Sequence, residues 1–314
     1  MIPRFLLRRG ALLLLNLWLV SLLIFLIVNV LPGDVAHTLL GEQASAQQIE
    51  QLRQQLGLDQ PWSQRYLAWL AGIFSGDLGT SLSLHRPVAE LIHTRLLNSL
   101  LLAGLALAVA IPASVALACL AANRQGSALD KSITGITTLL FSLPEYVVAV
   151  VLILVFSLWL DVLPGSSLAA PGASPLAQPS ALVLPVLATC LPMLAYLVQI
   201  TRAGLVDILH SDYVRTATLK GLSRTAVVLR HAVPNALPPT IVEIGLNFGY
   251  LLSGLVLIES IFSYAGIGQL TVTAINNRDV PLIQGCALVS AAAYAVANLL
   301  ADLLALILTP RVRS

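Results

Sequence analysis

Charge and apolar sequence are kept apart along this chain, and that separation constrains the fold more than any other feature. Six apolar runs, approximately 11–31, 96–122, 133–160, 181–201, 240–262 and 282–308, contain none of the seventeen Lys and Arg residues. The hydrocarbon core of a bilayer takes about 20 apolar residues in helical form, so each run is long enough to cross it. The runs are continuous rather than alternating, which excludes the strands of a membrane barrel. Charged residues make up only 10% of the chain and hydrophobic ones 57%, against roughly 25% charged in soluble domains. Disorder, a basic nucleic-acid-binding surface and a disulfide-stapled secreted domain are excluded together. A net charge of +2 is too small to imply an acidic partner. The expected fold is an all-α polytopic membrane protein with six transmembrane helices.

The basic residues set the expected orientation. Arg4, Arg8 and Arg9 precede the first run; Arg124 and Lys131 lie in the second connection. Arg202, Arg215, Lys220, Arg224 and Arg230 lie in the fourth, and Arg311 and Arg313 in the tail. These twelve fall on one side if all six runs span. Among short loops the other side has only Arg278, because Arg53, Arg65, Arg86 and Arg95 belong to a long loop that translocates largely regardless of charge. Both termini are therefore expected in the cytoplasm. The chain divides into 1–32 (N-terminus and first helix), 33–95 (an extracytoplasmic loop with short helices) and 96–314 (a five-helix core containing the cytoplasmic loop 202–239). The first run exceeds the roughly 7–15 apolar residues of a cleaved signal, and Leu31-Pro32-Gly33-Asp34 stands where a small-residue cleavage site belongs; it reads as a retained helix.

In the outer loop, Ser45 and Gln48 resemble a capping box, Ile49, Leu52 and Leu56 share a helical face, and Gly57 is placed to close the helix. A second short helix over 62–74 is expected to gather Trp62, Tyr66, Trp69 and Phe74, either as an interfacial anchor or as a lid over an outer opening. Cys119, Cys190 and Cys286 all lie within spans and read as small apolar filler. His37, His85, His93, His210 and His231 are dispersed without ligand spacing, so no metal site is inferred. Four acids, Glu145, Glu243, Glu259 and Asp302, fall inside or at the edge of spans, where charge is costly and faces a bundle interior or water. Glu145 follows Pro144 and sits deepest. Gly245, Gly249 and Ser253 form a small-residue stripe, suited to packing within the chain or to a seam with a second subunit.

The connection 202–239 is punctuated like folded structure. Ser211 or Asp212 is placed to cap a helix over 213–220, with acid at the positive end of its dipole, Lys220 at the negative end and Gly221 as the stop. Ser223 then caps a second segment, which Pro234 is expected to terminate. A helix this short is marginal in water and is worth encoding only if it docks, on a cytoplasmic partner or on anionic lipid.

At this loop the sequence becomes recognisable. Asp212-Tyr213-Val214-Arg215-Thr216-Ala217-Thr218-Leu219-Lys220-Gly221-Leu222-Ser223, followed by His231-Ala232 and Asn235-Ala236, resembles the EAA loop of ABC importer permeases, in the form found in the dipeptide/oligopeptide/nickel permease family. The blocks Arg4–Arg9, Leu31–Asp34, Leu56–Pro61, Gly76–Gly79, Gly254…Glu259–Phe262, Gly266-Ile267-Gly268, Arg278–Pro281, Asn298–Asp302 and Pro310–Arg313 are similar to the same pattern, in order, over nearly the whole chain. Pro234 stands where the family usually has Arg, and Ser263-Tyr264-Ala265 where it has Trp-Pro-Gly or similar.

The resemblance implies a type I ABC importer permease-like fold in the bacterial inner membrane. The chain would be a pore subunit and not an enzyme, paired with a second permease subunit as a heterodimer. Two cytoplasmic ATPase subunits would carry ATP and Mg, and an extracytoplasmic binding protein would deliver peptides, nickel, metal chelates or similar small solutes. Asp212, Tyr213, Arg215, Thr216, Ala217, Lys220, Gly221, Ser223, His231 and Asn235 would form the ATPase-coupling site, with Tyr213 as an anchor and Ala217 small for close approach to the ATPase. Glu145, Glu259, Phe262, Gly266, Gly268 and Asp279 are the pathway or gate candidates. The chain has no Gly-x-x-x-x-Gly-Lys-[Ser/Thr] phosphate loop. An ion-coupled transporter relaying protons through Glu145, Glu243 and Asp302 is the alternative. An intramembrane enzyme is disfavoured by the lack of His-Glu-x-x-His, paired aspartates or Gly-x-Ser-x-Gly in a span.

Overall fold

The computed structural model describes residues 2–30, 45–47, 50, 60–168 and 174–308. Among them the regular elements are helical, with one isolated bridge between Thr80 and Pro87. The α-helices are α1 (Ile2–Val30), α2 (Trp62–Ser75), α3 (Val88–Asn123), α4 (Ala128–Ser142), α5 (Glu145–Leu152), α6 (Pro179–Leu209), α7 (Asp212–Leu219), α8 (Arg224–Val227), α9 (Val233–Ile261), α10 (Ile267–Asn276) and α11 (Val280–Leu308). Four of them are long and apolar enough to cross a membrane: α1 over Leu7–Ile27, α3, α6, and α11 over Val280–Leu303. The pair α4–α5 makes a fifth if it counts as one span. The run at 240–262 is helical within α9, but the side chains of 246–253 lie outside the described set. Most of the outer-loop helix expected around 45–57, and the ending Pro310–Arg313, also lie outside the described residues.

The third run corrects the expectation of one continuous span. It breaks into α4 and α5, which are bent by 105°. The cause is Pro144. The residue before a proline is pushed out of the helical region, and Leu143 is extended at φ −87 and ψ 133. Pro144 is extended as well, and its carbonyl then accepts from the N–H groups of Val147 and Val148 to start α5. That helix passes into a π-helical stretch, Ile153–Trp159.

The chain forms two units. The first comprises 1–98 and 266–295. Its core joins Val88, Leu91 and Ile92 of α3 to Ile267, Leu270 and Ala274 of α10 and Leu282 and Cys286 of α11. Here α2 is fastened to α1: Tyr66 is buried, its hydroxyl is 2.9 Å from Ser21 Oγ, and its ring meets Phe25 edge-on at 5.3 Å. Trp69 packs beside them, 6.1 Å from Phe25. Trp62 and Phe74 are exposed, so the expected aromatic cluster forms only in part, and it is built on the first helix.

The second unit comprises 99–265 and 296–314. Its main core gathers Leu102 and Ala103 of α3, Val148, Ala149 and Leu152 of α5, Leu182, Leu184 and Ala188 of α6, and Leu255, Ile258 and Phe262 at the end of α9. A smaller cluster of Ala118, Ala122, Leu205, Ala232 and Ala236 lies nearer the loop 202–239. Alanines let these backbones approach closely, which suits helix association where burial from water supplies little drive.

Candidate functional site

The loop 202–239 folds as a short helix braced from behind. Its helix is α7, one residue earlier than expected at each end. Ser211 holds the N-cap position, but its hydroxyl donates back to the Ile208 carbonyl at 2.6 Å. Asp212 supplies the acid of the first turn. At the other end Gly221 has φ +82, and its N–H donates to the Thr218 carbonyl. A left-handed residue here is what stops the helix.

Val214 and Ala217 are buried and pack with Val227, Ile208 and Leu209. Ala217 thus faces the chain's own next segment, and its small side chain allows close approach there. Three residues apart, Val214 and Ala217 share one face of α7, and the structure turns that face inward. The outward face carries Tyr213, Arg215, Thr216, Leu219 and Lys220. Leu219 is 82% exposed and Tyr213 54%.

Tyr213 is held from below: its hydroxyl lies 2.8 Å from His231 Nδ1, with the rings edge-on at 5.7 Å. Asn235 in turn donates from Nδ2 to the His231 carbonyl at 2.7 Å. The motif residues Tyr213, His231 and Asn235, separated in sequence, therefore form one bracket. Ser223 Oγ accepts from the Ala226 N–H at 3.4 Å, as its capping role requires. Pro234 does not terminate the segment. The chain runs from α8 through a π-helical stretch, Val228–Ala232, directly into α9, with Pro234 in the first turn of α9. A proline is tolerated in a first turn, where its missing N–H has little to bond, and the widened π stretch precedes it.

The other candidates occupy separate places. In the second unit Glu145 lies in the first turn of α5, against Gly254 of α9; a Cβ at 254 would come 2.5 Å from Glu145 Oε2. Glu259 is fully buried and accepts from Ser99 Oγ at 2.5 Å, and Phe262 is fully buried in the main core. Tyr196 donates to Glu243 at 2.9 Å and stacks on Phe141 at 5.6 Å. In the first unit Gly266 caps α10 and Gly268 is buried in its first turn. Asp279, between α10 and α11, is fully buried. Its Oδ2 accepts from Ser81 Oγ at 2.6 Å, Ser83 N–H at 2.9 Å and Ser83 Oγ at 2.7 Å, and its Oδ1 from the Leu282 N–H. Burial alone would raise this carboxyl, but the donors from Ser81 and Ser83 outweigh it and hold the group below the ordinary carboxylate value. Asp279 thus fastens the segment 81–83 to the start of α11.

Besides the Ser81 and Ser83 bonds to Asp279, two arrangements have no counterpart in the sequence patterns. One is the Asp130–Arg202 pair, hinted at only by Ser127 three residues before Asp130. The other is the close approach of Gly254 to Glu145. Among the described residues no group of three or more His, Cys, Asp or Glu is placed to hold a metal.

Four long apolar helices and a braced, outward-facing helix on the connection between α6 and α9 are the features of a membrane protein with a folded loop outside its spans. Residues 114–314 match the family described as binding-protein-dependent transport system inner membrane component, and residues 1–103 match its N-terminal counterpart. The chain belongs to this family: it is an inner-membrane permease of the ABC importers, multi-pass in the cytoplasmic membrane, and not an enzyme. It is 34% identical over 298 residues to a probable peptide ABC transporter permease of Sinorhizobium fredii, with 94% of each chain covered. It is 36% identical to a putative peptide transport system permease of Brucella abortus, again with 94% of each covered. To a glutathione transport system permease of Escherichia coli it is 37% identical, with 95% of each covered.

Proposed function

We propose that the chain is one of two permease subunits of an ATP-driven importer of peptides or small peptide-like solutes, with six spans and both termini in the cytoplasm. Its second permease subunit is a different chain. Two ATPase subunits hold ATP and Mg, the chain itself binds no cofactor, and an extracytoplasmic binding protein delivers cargo. The distribution of basic residues supports the orientation, and relatives named for peptides and glutathione favour that cargo over nickel or metal chelates. Glu145, the carboxylate at the α4–α5 break, is kept as the pathway candidate, since charge at membrane depth is tolerated where it meets a bundle interior or water.

The observation that carries the coupling role is the two-faced build of α7. Val214 and Ala217 fasten it to the chain, while Tyr213, Arg215, Leu219 and Lys220 face away. The helix seats in a groove of the ATPase and moves as a rigid body when ATP closes the ATPase pair. In the assembled importer, Leu219→Cys is expected to cross-link through a short bifunctional reagent to a single cysteine placed in the ATPase surface, with a yield that changes when ATP is added. If a fluorophore attached to the Leu219→Cys variant were instead quenched by brominated lipid, with no cross-link, α7 would lie on the bilayer.

A further inference from the structure

We propose that Asp130 and Arg202 form the joint through which movement of α7 reaches the broken span α4–α5, acting as positioning residues for coupling. The inference rests on the reading of α7 as the ATPase-facing helix. Asp130 sits in the first turn of α4 and is 3% exposed. Arg202 lies on α6, with Nε donating to Oδ1 at 2.6 Å and Nη2 to Oδ2 at 2.8 Å. Oδ2 also accepts from the Gly126 N–H at 2.9 Å, and Ser127 Oγ accepts from the Asp130 N–H at 3.3 Å. The carboxylate is thereby fixed to the α4 turn on one side and gripped by a two-point fork on the other. A guanidinium holding both oxygens sets an angle as well as a distance, which a lysine ammonium does not.

The position gives this geometry its use. Arg202 stands about two turns before Leu209, where α6 ends, and only His210 and Ser211 separate that end from α7. Force on α7 is therefore delivered to the stretch of α6 that bears Arg202. From Asp130, α4 runs to Ser142 and the 105° break, beyond which Glu145 opens α5. A further polar link between these helices is long, Gln199 Nε2 to Thr138 Oγ1 at 3.5 Å, and the Phe141–Tyr196 contact is a stack. Neither resists sliding as a bidentate ion pair does. The Arg202 side chain keeps 25% of its surface exposed, and an ion pair open to solvent adds little net stability, so its placement at this junction points to a geometric task.

The test uses the full importer, with its binding protein, in lipid nanodiscs for ATPase and proteoliposomes for uptake. Arg202→Lys keeps the charge and loses the fork; Asp130→Asn keeps the shape and loses the charge. Both are expected to retain the ATPase subunits on co-purification and basal ATPase within about twofold, while solute taken up per ATP falls about tenfold. Thr138→Ala is expected to stay near wild type. A purely structural role would lower complex yield and every activity together. Wild-type uptake per ATP in both variants would overturn the proposal. So would failure of Arg202→Lys, Asp130→Asn and Asp130→Glu alike to assemble, since the pair would then be a folding element only. The cross-link from Leu219→Cys is run in the same preparations. Its absence with otherwise wild-type residues means that the reading of α7 has failed; its presence with unchanged coupling in the variants means that the joint has.

Discussion

Replacing Gly221 with valine is expected to cut solute uptake by about tenfold or more while the ATPase subunits remain attached. Gly221 has φ +82, and a Cβ added there would meet nothing within 4 Å. The penalty is thus purely conformational: a β-branched residue in the left-handed region costs about 1–3 kcal/mol. Relief comes only if the backbone after Lys220 rotates, which turns the exposed end of α7, with Leu219 and Lys220, away from its present direction. Every 1.4 kcal/mol is tenfold in population, so the correctly presented helix becomes the minor form. Asparagine tolerates this conformation better than other side chains, and Gly221→Asn is expected to retain most uptake. Paired measurement of uptake and ATP hydrolysis in proteoliposomes checks both. Equal activity in the valine variant would mean that the end of α7 plays no part in coupling.

A second large effect is expected at Gly245, through packing. A Cβ at this position would lie 2.8 Å from Ala301 Cβ and 3.1 Å from Ala301 Cα, so even alanine forces α9 and α11 apart. Overpacking of this kind costs about 1–3 kcal/mol. Gly245→Ala is expected to lower the thermal stability of the purified complex, and Gly245→Leu more so. Trimming the facing residue removes the nearer clash, so Gly245→Ala combined with Ala301→Gly is expected to recover much of the loss, a non-additivity that a double-mutant cycle reads directly. If Gly245 instead formed a seam with the second subunit, the variant would lose its partner at unchanged thermal stability and Ala301→Gly would not help.

What the sequence made legible follows from the range of the interactions involved. Long apolar runs specify helices by themselves, because every backbone group in a span must bond within it; α1, α3, α6 and α11 are legible to within a few residues, save that α1 and α3 begin earlier and α6 ends later. The stop at Gly221 and the cap at Ser223 are also local and were read correctly. Prolines were harder, since their effect depends on neighbours. Pro144 breaks its run by 105°, Pro185 and Pro192 sit inside α6 without ending it, and Pro234 enters α9 behind a π-helical stretch. The inward face of α7 is not legible, because spacing shows that Val214 and Ala217 share a face but not which way it turns. Contacts between distant residues were not legible at all: Asp130 with Arg202, Ser81 and Ser83 with Asp279, and Glu145 with Gly254 each depend on how helices are brought together.

The most direct test of the proposed function is uptake by the reconstituted complex. Proteoliposomes carrying this chain, its partner permease and the ATPase subunits should accumulate a labelled peptide or glutathione only when ATP is supplied on the ATPase side and the binding protein on the other. Accumulation driven by a pH gradient, without ATP or the binding protein, would contradict the account and favour proton relay through Glu145, Glu243 and Asp302.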